Sequence, residues 1–535
     1  MLDFEIKKID FLKRVSDYFE SQTREDGSIF CKKDRVEHTG KNCYSIIVDS
    51  KLFELTRDEK YFDRAKKRVF RTIARLIKDP ETGDSIFYPG RLDPRNASNT
   101  IIDGGACVDS LCTFLVQFEN RLADSEKNKI KDAIYRHSEE YLKKQVLLKP
   151  ITNQRLWGVS GLSSAYNIFK KDDWREAVLK AIDLSFSEQN SDGSFPYHPH
   201  RKDIGGHPGM SDITSYYHSR HLAFIIHSLE RIGGEIKPYL ENLKRGTDFL
   251  LAMYQPDGVK NIMLEGKHWY WNSDYEIASN PYDIYVLVKM FQITQDKNYP
   301  IYATRAFNQM FLHRLEDGGI DSCKHKKDDW QCRVLWNSHI AWLARIIESA
   351  PLETDGEAVE FYKNFSDAGI IKYENNKYSF ILRYKKKPTN NDWGGLIGGG
   401  NLVYYGLADK EWRNSIDKNN YKIVKHGKNS LQQFLTDNRM ALRGEKWRIF
   451  VYFTSGNILG AIKRFYREVI KKYFGYANEY STIWETNAEL LENNEHKINI
   501  KTFLARRDGT RLPGAEILLE YNICSDHLEM KEKVL

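Results

Sequence analysis

NSDGSFPYHPHRKDIGGHPGMSDITSYYHSRHLAFIIHSL, residues 190–229, is the stretch whose reading decides the fold. It runs from an Asp-Gly turn, through a polar and histidine-rich segment, into an apolar helix whose first residues are aromatic and basic. Asp-Gly marks a tight turn because glycine accepts positive φ and aspartate hydrogen-bonds its own backbone. Turns built on Asp and Gly recur at REDGSIF around Asp26, ETGDSIF around Asp84, QPDGVK around Asp257 and LEDGGID around Asp317. Apolar helices with polar or aromatic openings recur with them: KNCYSIIVDSKLFEL from Lys41, NTIIDGGACVDSLCTFL from Asn99, NQRLWGVSGLSSAYNIF from Asn153, SYYHSRHLAFIIHSL from Ser215, NPYDIYVLVKMFQI from Asn280 and LWNSHIAWLARII from Leu335.

With Asn42, Asp103, Asn153, Tyr217, Tyr282 and Asn337 as markers, the steps are 61, 50, 64, 65 and 55 residues, enough for two helices and two connections. Between the openings lie amphipathic stretches such as KYFDRAKKRVFRTIARLI and DDWREAVLKAIDLSF, apolar at helical spacing and charged on the other side. Helices that are apolar nearly all round belong inside and amphipathic ones outside. Residues 1–350 are therefore expected to form an (α/α)6 toroid, with the polar openings of the inner helices gathered at one mouth; an open solenoid shares this periodicity. Residues 351–371 read as a linker. From Lys372 to Leu535, β-prone runs (KYSFILRY, GGNLVYYG, WRIFVYF, KINIKTFLAR and AEILLEYNI) predict a mostly antiparallel, sandwich-like β domain. GNILGAIKRFYREVIKKYFGY fits helix or strand, and LIGGGNLVYYG lacks the lysine and helix of a phosphate loop. The fold class is thus α+β multidomain.

A chain of 535 residues with 41% apolar content is large enough for two cores. Its 13% aromatic content, with 31 Tyr and 11 Trp, suits a cleft in which rings stack on sugar faces. The net charge of +7 is spread along the chain and favours an anionic partner only mildly. There is no zinc-finger, RNP or basic-heptad signature, so no nucleic acid partner is expected. The N-terminus lacks the apolar run of a signal peptide and no stretch has 18 uninterrupted apolar residues, so the expectation is a cytoplasmic chain without a membrane span. Seven scattered cysteines fit reduced thiols. Cys323, His325 and Cys332 lack a common zinc spacing, and no metal or organic cofactor is expected.

The densest chemistry is Tyr216, Tyr217 and His218, with Arg220 and His221, preceded by His198, His200 and His207. Asn153, Arg155 and Trp157 open the preceding inner helix and are expected to face the same cavity. This set suits β-elimination from a uronate. Asn153, with Arg155 or Arg220, would neutralise the carboxylate, while Tyr217, with His207 or His218, would move the C5 proton and protonate the leaving oxygen. Trp269, Trp271, Tyr282, Asn337, His339, Tyr216 and His198 complete the expected sugar-binding wall. Asp103, Asp109 and Asp283 offer a different chemistry, the paired carboxylates of glycoside hydrolysis.

NQRLWGVSGL, the Asp-Gly-Ser-Phe turn at 192–195 and SYYHSRHLAFI together resemble the toroidal domain of the heparinase II/III-like and alginate-lyase-like polysaccharide lyases. That resemblance covers about residues 140–230 with motifs and the rest as architecture. It implies a toroid followed by an antiparallel β-sandwich, action on an anionic poly- or oligosaccharide, and catalytic roles for Asn153 and Tyr217 only. These lyases often carry a histidine-rich motif at the start of the β domain, which KYSFILRYKKKPTNNDWGGLIGGG lacks. Alternatives are an unsaturated glucuronyl hydrolase type of glycoside hydrolase, which IIDGGACVDSL faintly resembles, a uronate C5-epimerase, and a non-catalytic polysaccharide-binding or assembly protein.

Overall fold

The computed structural model describes residues 2–31, 36–88, 99–199, 211–261, 264–265, 275–321, 333–350, 359–388, 395–408, 424–425, 458–466, 479–506 and 509–535. The chain divides into two compact units. The first comprises Met1–Phe195, Tyr216–Lys260 and Tyr275–Glu357; the second comprises Pro196–Ser215, Asn261–Asp274 and Ala358–Leu535.

The inner helices of the first unit are Tyr44–Thr56, Asn99–Phe118, Thr152–Phe169, His218–Ile232, Asn280–Thr294 and a short last one, Ile340–Ala344. Each begins at or within three residues of an expected opening, except the last, which is preceded by a short turn of helix at Arg333–Asn337. The outer helices are Glu59–Ile73, Asp124–His137 continued by a π turn into Lys143–Leu148, Asp172–Ser187, Leu240–Ala252 and Asn298–Leu312. The N-terminal helix, Leu2–Ser21, packs on the first and last inner helices and takes the sixth outer place. Each inner helix packs on the next, and Ile340–Ala344 packs back on Tyr44–Thr56, so the series of contacts closes.

Burial explains the sorting. Thr152–Phe169 is buried on all sides over its first 14 residues apart from Gln154, while Glu59–Ile73 buries Tyr61, Phe62, Ala65, Arg68, Val69 and Thr72, a single helical stripe. The second inner helix is apolar and long enough to cross a membrane by length and composition alone, and 78% of that window is buried within the protein.

The Asp-Gly turns are built alike. Asp26, Asp192, Asp257 and Asp317 each accept a backbone N–H two residues on, from Ser28, Ser194, Val259 and Gly319. Gly27, Gly193, Gly258 and Gly318 take φ of 84°, 91°, 91° and 88°. Each glycine leans on another outer helix: a Cβ at Gly193 would lie 2.2 Å from the Arg245 carbonyl, one at Gly258 2.2 Å from that of Arg305, and one at Gly318 2.5 Å from that of Arg14 in the N-terminal helix. The turn near Asp84 differs, because its glycine comes first and Gly83 faces open space. Replacing Gly258 by alanine is expected to cost at least ~2 kcal/mol, since left-handed strain and a backbone clash add; thermal unfolding measures it, and Gly83→Ala should cost less.

Asn42 Nδ2 donates to the Ile29 carbonyl, and Asn337 pairs both ways with Ile320, each partner lying two residues beyond a turn glycine. Asn280 Nδ2 donates to the carbonyls of Gly258 and Ala306, and His218 Nε2 donates to that of Gly246 at 2.7 Å. The polar residues that open four inner helices thus fasten those openings to the turns and outer helices.

In the second unit, one sheet runs Asn401–Leu407, Tyr378–Arg383, Ile370–Glu374, Phe361–Phe365 and another runs Glu489–Asn493, Lys497–Ala505, Arg511–Ile523, Leu528–Val534, all neighbours antiparallel. Alternate residues such as Ile498 and Ile500, and Ile517, Leu519, Tyr521 and Ile523, join Ile371, Phe380 and Leu382 in one apolar core. Phe361–Phe365 and the start of Ile370–Glu374 occupy residues expected to be linker, because Phe361, Tyr362 and Ile371 supply strand-forming side chains that pair in register. WRIFVYF lies outside the described residues, and the ambiguous GNILGAIKRFYREVI segment contains a helix, Ile458–Phe465. Two insertions join this unit: Arg383 donates to Asp212 and to the Leu264 carbonyl, and Glu265 accepts from Thr214 and Ser215.

Candidate functional site

Five inner helices each send one ring to the middle of the first unit. Trp157 lies 5.6 Å from Tyr44, 4.8 Å from Phe224 and 6.4 Å from Tyr282; Trp342 lies 5.1 Å from both Phe224 and Tyr282. All five are buried, so Trp157 and Tyr282 are packing residues of a central plug rather than the open sugar platforms expected from sequence.

Above this plug, at the N-terminal ends of the inner helices, sits Arg220. It is 1% exposed, and among the described residues it makes no ion pair. It donates to the Tyr216 carbonyl, and its guanidinium lies 3.8 Å from the Tyr216 ring, 4.6 Å from that of Tyr282 and 5.4 Å from that of Tyr217. His339 Nδ1 is 3.4 Å away but bonds the Ala278 carbonyl at 3.0 Å. Aromatic faces therefore surround this cation where a contacting carboxylate would stand, and the buried Glu276 carboxylate adds its field from further off. Tyr216 packs on Tyr217 at 4.7 Å and on Trp336 at 6.1 Å, while Tyr217, half-buried, sits at the N-cap of the fourth inner helix. His221 is buried against Phe195, both its ring nitrogens lacking hydrogen-bond partners among the described residues, and burial holds it neutral.

Asn153 is in the first turn of the third inner helix, whose N-cap is Ile151, so it is not the cap. Its side chain is buried, with Nδ2 unpaired among the described residues. Arg155 departs from the expected substrate clamp: both its terminal nitrogens bond Glu188 at 2.8 Å, and it holds Ser185 and the Lys149 carbonyl as well. His218, expected to move protons, is fastened to Gly246, and Asn337 is fastened to Ile320. His198 is buried in the second unit. His200, His207, Trp269, Trp271 and the Cys323, His325, Cys332 group lie outside the described residues.

The expected carboxylates are tied up. Asp109 binds Arg345 at 2.6 Å, His227 at 3.1 Å and Ser164 at 2.8 Å; although burial opposes it, Arg345 above all, with His227 and the more distant Arg231, holds its carboxyl well below the usual range. Asp283 binds Lys260 at 3.0 Å and Tyr254 at 2.5 Å. Asp103 is buried beside Gly40. Gly105, in the glycine pair after Asp103, allows the second and third inner helices to cross closely, since a Cβ there would lie 2.1 Å from the Trp157 carbonyl.

Burial also pushes His218 down to about 3 and His137 and His227 to about 4. The unfolded chain binds these protons near pH 6.5 and the folded chain does not, so stability is complete above pH 6.5 and is lost as pH falls towards 4. Each group contributes about 1.4 kcal/mol per pH unit across its window. Urea unfolding between pH 7 and 5 measures this, and His218→Gln should flatten the slope by about one proton.

The chain matches no known family model and no curated protein by sequence. Its backbone is similar to solved structures of cellobiose 2-epimerase from Bacillus thermoamylovorans B4167 (11% identity, TM-score 0.47, 64% of this chain and 100% of that one) and of a glycosyl hydrolase family 88 protein from Bacteroides vulgatus (13%, 0.47, 64% and 97%). It is also similar to a polysaccharide lyase (15%, 0.46, 64% and 98%). At these values the likenesses assign no activity.

Proposed function

We propose that the helical hairpins form a closed (α/α)6 toroid, that the two sheets form a β-sandwich, and that the protein cleaves a uronate-containing poly- or oligosaccharide by β-elimination at the N-terminal mouth of the ring. The observation that carries this reading is Arg220, a buried guanidinium in direct ion pair with no carboxylate among the described residues, beside half-buried Tyr217. A buried charge with no contacting carboxylate among the described residues, only the more distant Glu276, is costly to stability, which points to a task that needs its field.

In the proposed reaction the unpaired Asn153 amide receives the substrate carboxylate, and Arg220 favours the negative charge that develops as the C5 proton leaves. His207 takes that proton on sequence grounds. The C5–H electrons form the C4–C5 double bond, the C4–O bond breaks, and the Tyr217 hydroxyl protonates the departing oxygen. Arg220 acts on that charge by its field and holds the tyrosines in place without touching substrate, and so is a positioning residue. Hydrolysis by Asp109 and Asp283 is disfavoured because each is already committed to buried cations and hydroxyls.

The test is incubation with a panel of uronate polymers while following the ultraviolet absorbance of a conjugated C4–C5 double bond. A rise supports elimination. New reducing ends without that rise contradict it.

A further inference from the structure

The other mouth of the helical unit holds a cavity of about 340 Å³, large enough for a small organic ligand. It lies among the C-terminal halves of the inner helices. Arg231 on its wall is 11 residues beyond Arg220 on the same helix, about 16 Å along the axis, and the aromatic plug lies between. Nothing in the elimination reading uses this cavity, and the inference does not rest on that reading.

Its walls carry four cations, Lys51, Arg231, Lys289 and Arg345, against two carboxylates, Glu54 and Glu230. Both carboxylates are engaged. Glu54 pairs with Lys51 at 3.0 Å; Glu230 accepts from Lys289 at 2.7 Å and from the Tyr285 hydroxyl at 3.2 Å. Arg345, 8% exposed, gives one nitrogen to Asp109, while its Nε is buried without a partner. Arg231, half-buried on the wall, makes no ion pair or hydrogen bond among the described residues. His227, held neutral by burial, completes the floor beside Asp109. Among the described residues the cavity therefore has one cation, Arg231, with no contacting carboxylate and only the field of Asp109 set against it, and one unused guanidinium N–H on Arg345, while Lys51 meets both Glu54 and Glu348.

We propose that this cavity binds a small anion bearing a carboxylate or phosphate group, with Arg231 and Arg345 as its recognition residues. A guanidinium pair presents parallel N–H donors that fit either oxyanion, and such charge-assisted hydrogen bonds are the strong kind.

The experiment is isothermal titration of the full chain with inorganic phosphate and, separately, D-glucuronate, at ionic strength fixed with chloride. Wild type, Arg231→Gln and Arg231→Lys are compared. The expected result is saturable binding of at least one probe, weakened about tenfold or more in Arg231→Gln and partly restored in Arg231→Lys. Phosphate alone binding assigns a phosphorylated ligand; glucuronate alone assigns a carboxylate. Absence of saturable binding by both probes, or equal binding by wild type and Arg231→Gln, overturns the proposal. Arg231 makes no hydrogen bond or ion pair among the described residues, so both variants are expected to fold as wild type does, with superimposable circular dichroism. Ultraviolet turnover assays should also be unchanged by Arg231→Gln.

Discussion

Tyr217→Phe is expected to lower kcat for double-bond formation by about 10³-fold, the usual scale for removing a general acid or base, with little change in KM. The variant keeps the ring that packs against Tyr216 at 4.7 Å and lies 5.4 Å from the Arg220 guanidinium, so the helix opening should stay assembled. Only the hydroxyl is lost. Thermal unfolding within about 1 kcal/mol of wild type, together with the kcat loss, separates proton transfer from packing. A variant of normal stability and undiminished kcat would remove Tyr217 from the chemistry.

The second large effect is on stability. Asp109→Leu should cost about 3–5 kcal/mol, because it strands Arg345, 8% exposed, without its carboxylate and leaves Ser164 and His227 without their acceptor. The bonds joining Asp109, Ser164, His227 and Arg345 link the second, third, fourth and last inner helices, so the loss falls on the packing of four helices as well as on one pair. Removing both charges with Asp109→Leu and Arg345→Met should recover much of the loss. Denaturant midpoints for the two variants measure both terms. Equal destabilisation by the single and double variants would mean that Arg345 is not the group being stranded.

The helical unit was largely legible because its signals are local. Asp-Gly turns at Asp26, Asp192, Asp257 and Asp317 announce themselves in two residues, and the apolar runs that follow have helical spacing. The helix that completes the sixth hairpin stands at the other end of the chain, where only packing places it. Site roles were less legible. His218, expected to move protons, and Asn337, expected to bind sugar, instead fasten helix openings to turns and outer helices, as do the opening residues Asn42 and Asn280. Arg155 looked free because its partner Glu188 is 33 residues away. Asp109 looked like a catalytic carboxylate for the same reason, with Arg345 a further 236 residues on. The far cavity has a signal in the sequence, the charged residues Glu230, Arg231 and Lys289, with His227, in the later turns of otherwise apolar inner helices. In the β domain, alternation found the strands that bury one face, while Phe361–Phe365, mostly half-buried, gave too weak a period.

The measurement that tests the central claim most directly is the mass of the products released from a defined uronate oligosaccharide by the wild-type protein. Elimination adds no water, so the two fragment masses must sum to that of the substrate, with the unsaturated fragment one water lighter than its hydrolytic counterpart. Fragments that together exceed the substrate by one water would establish hydrolysis and contradict the account.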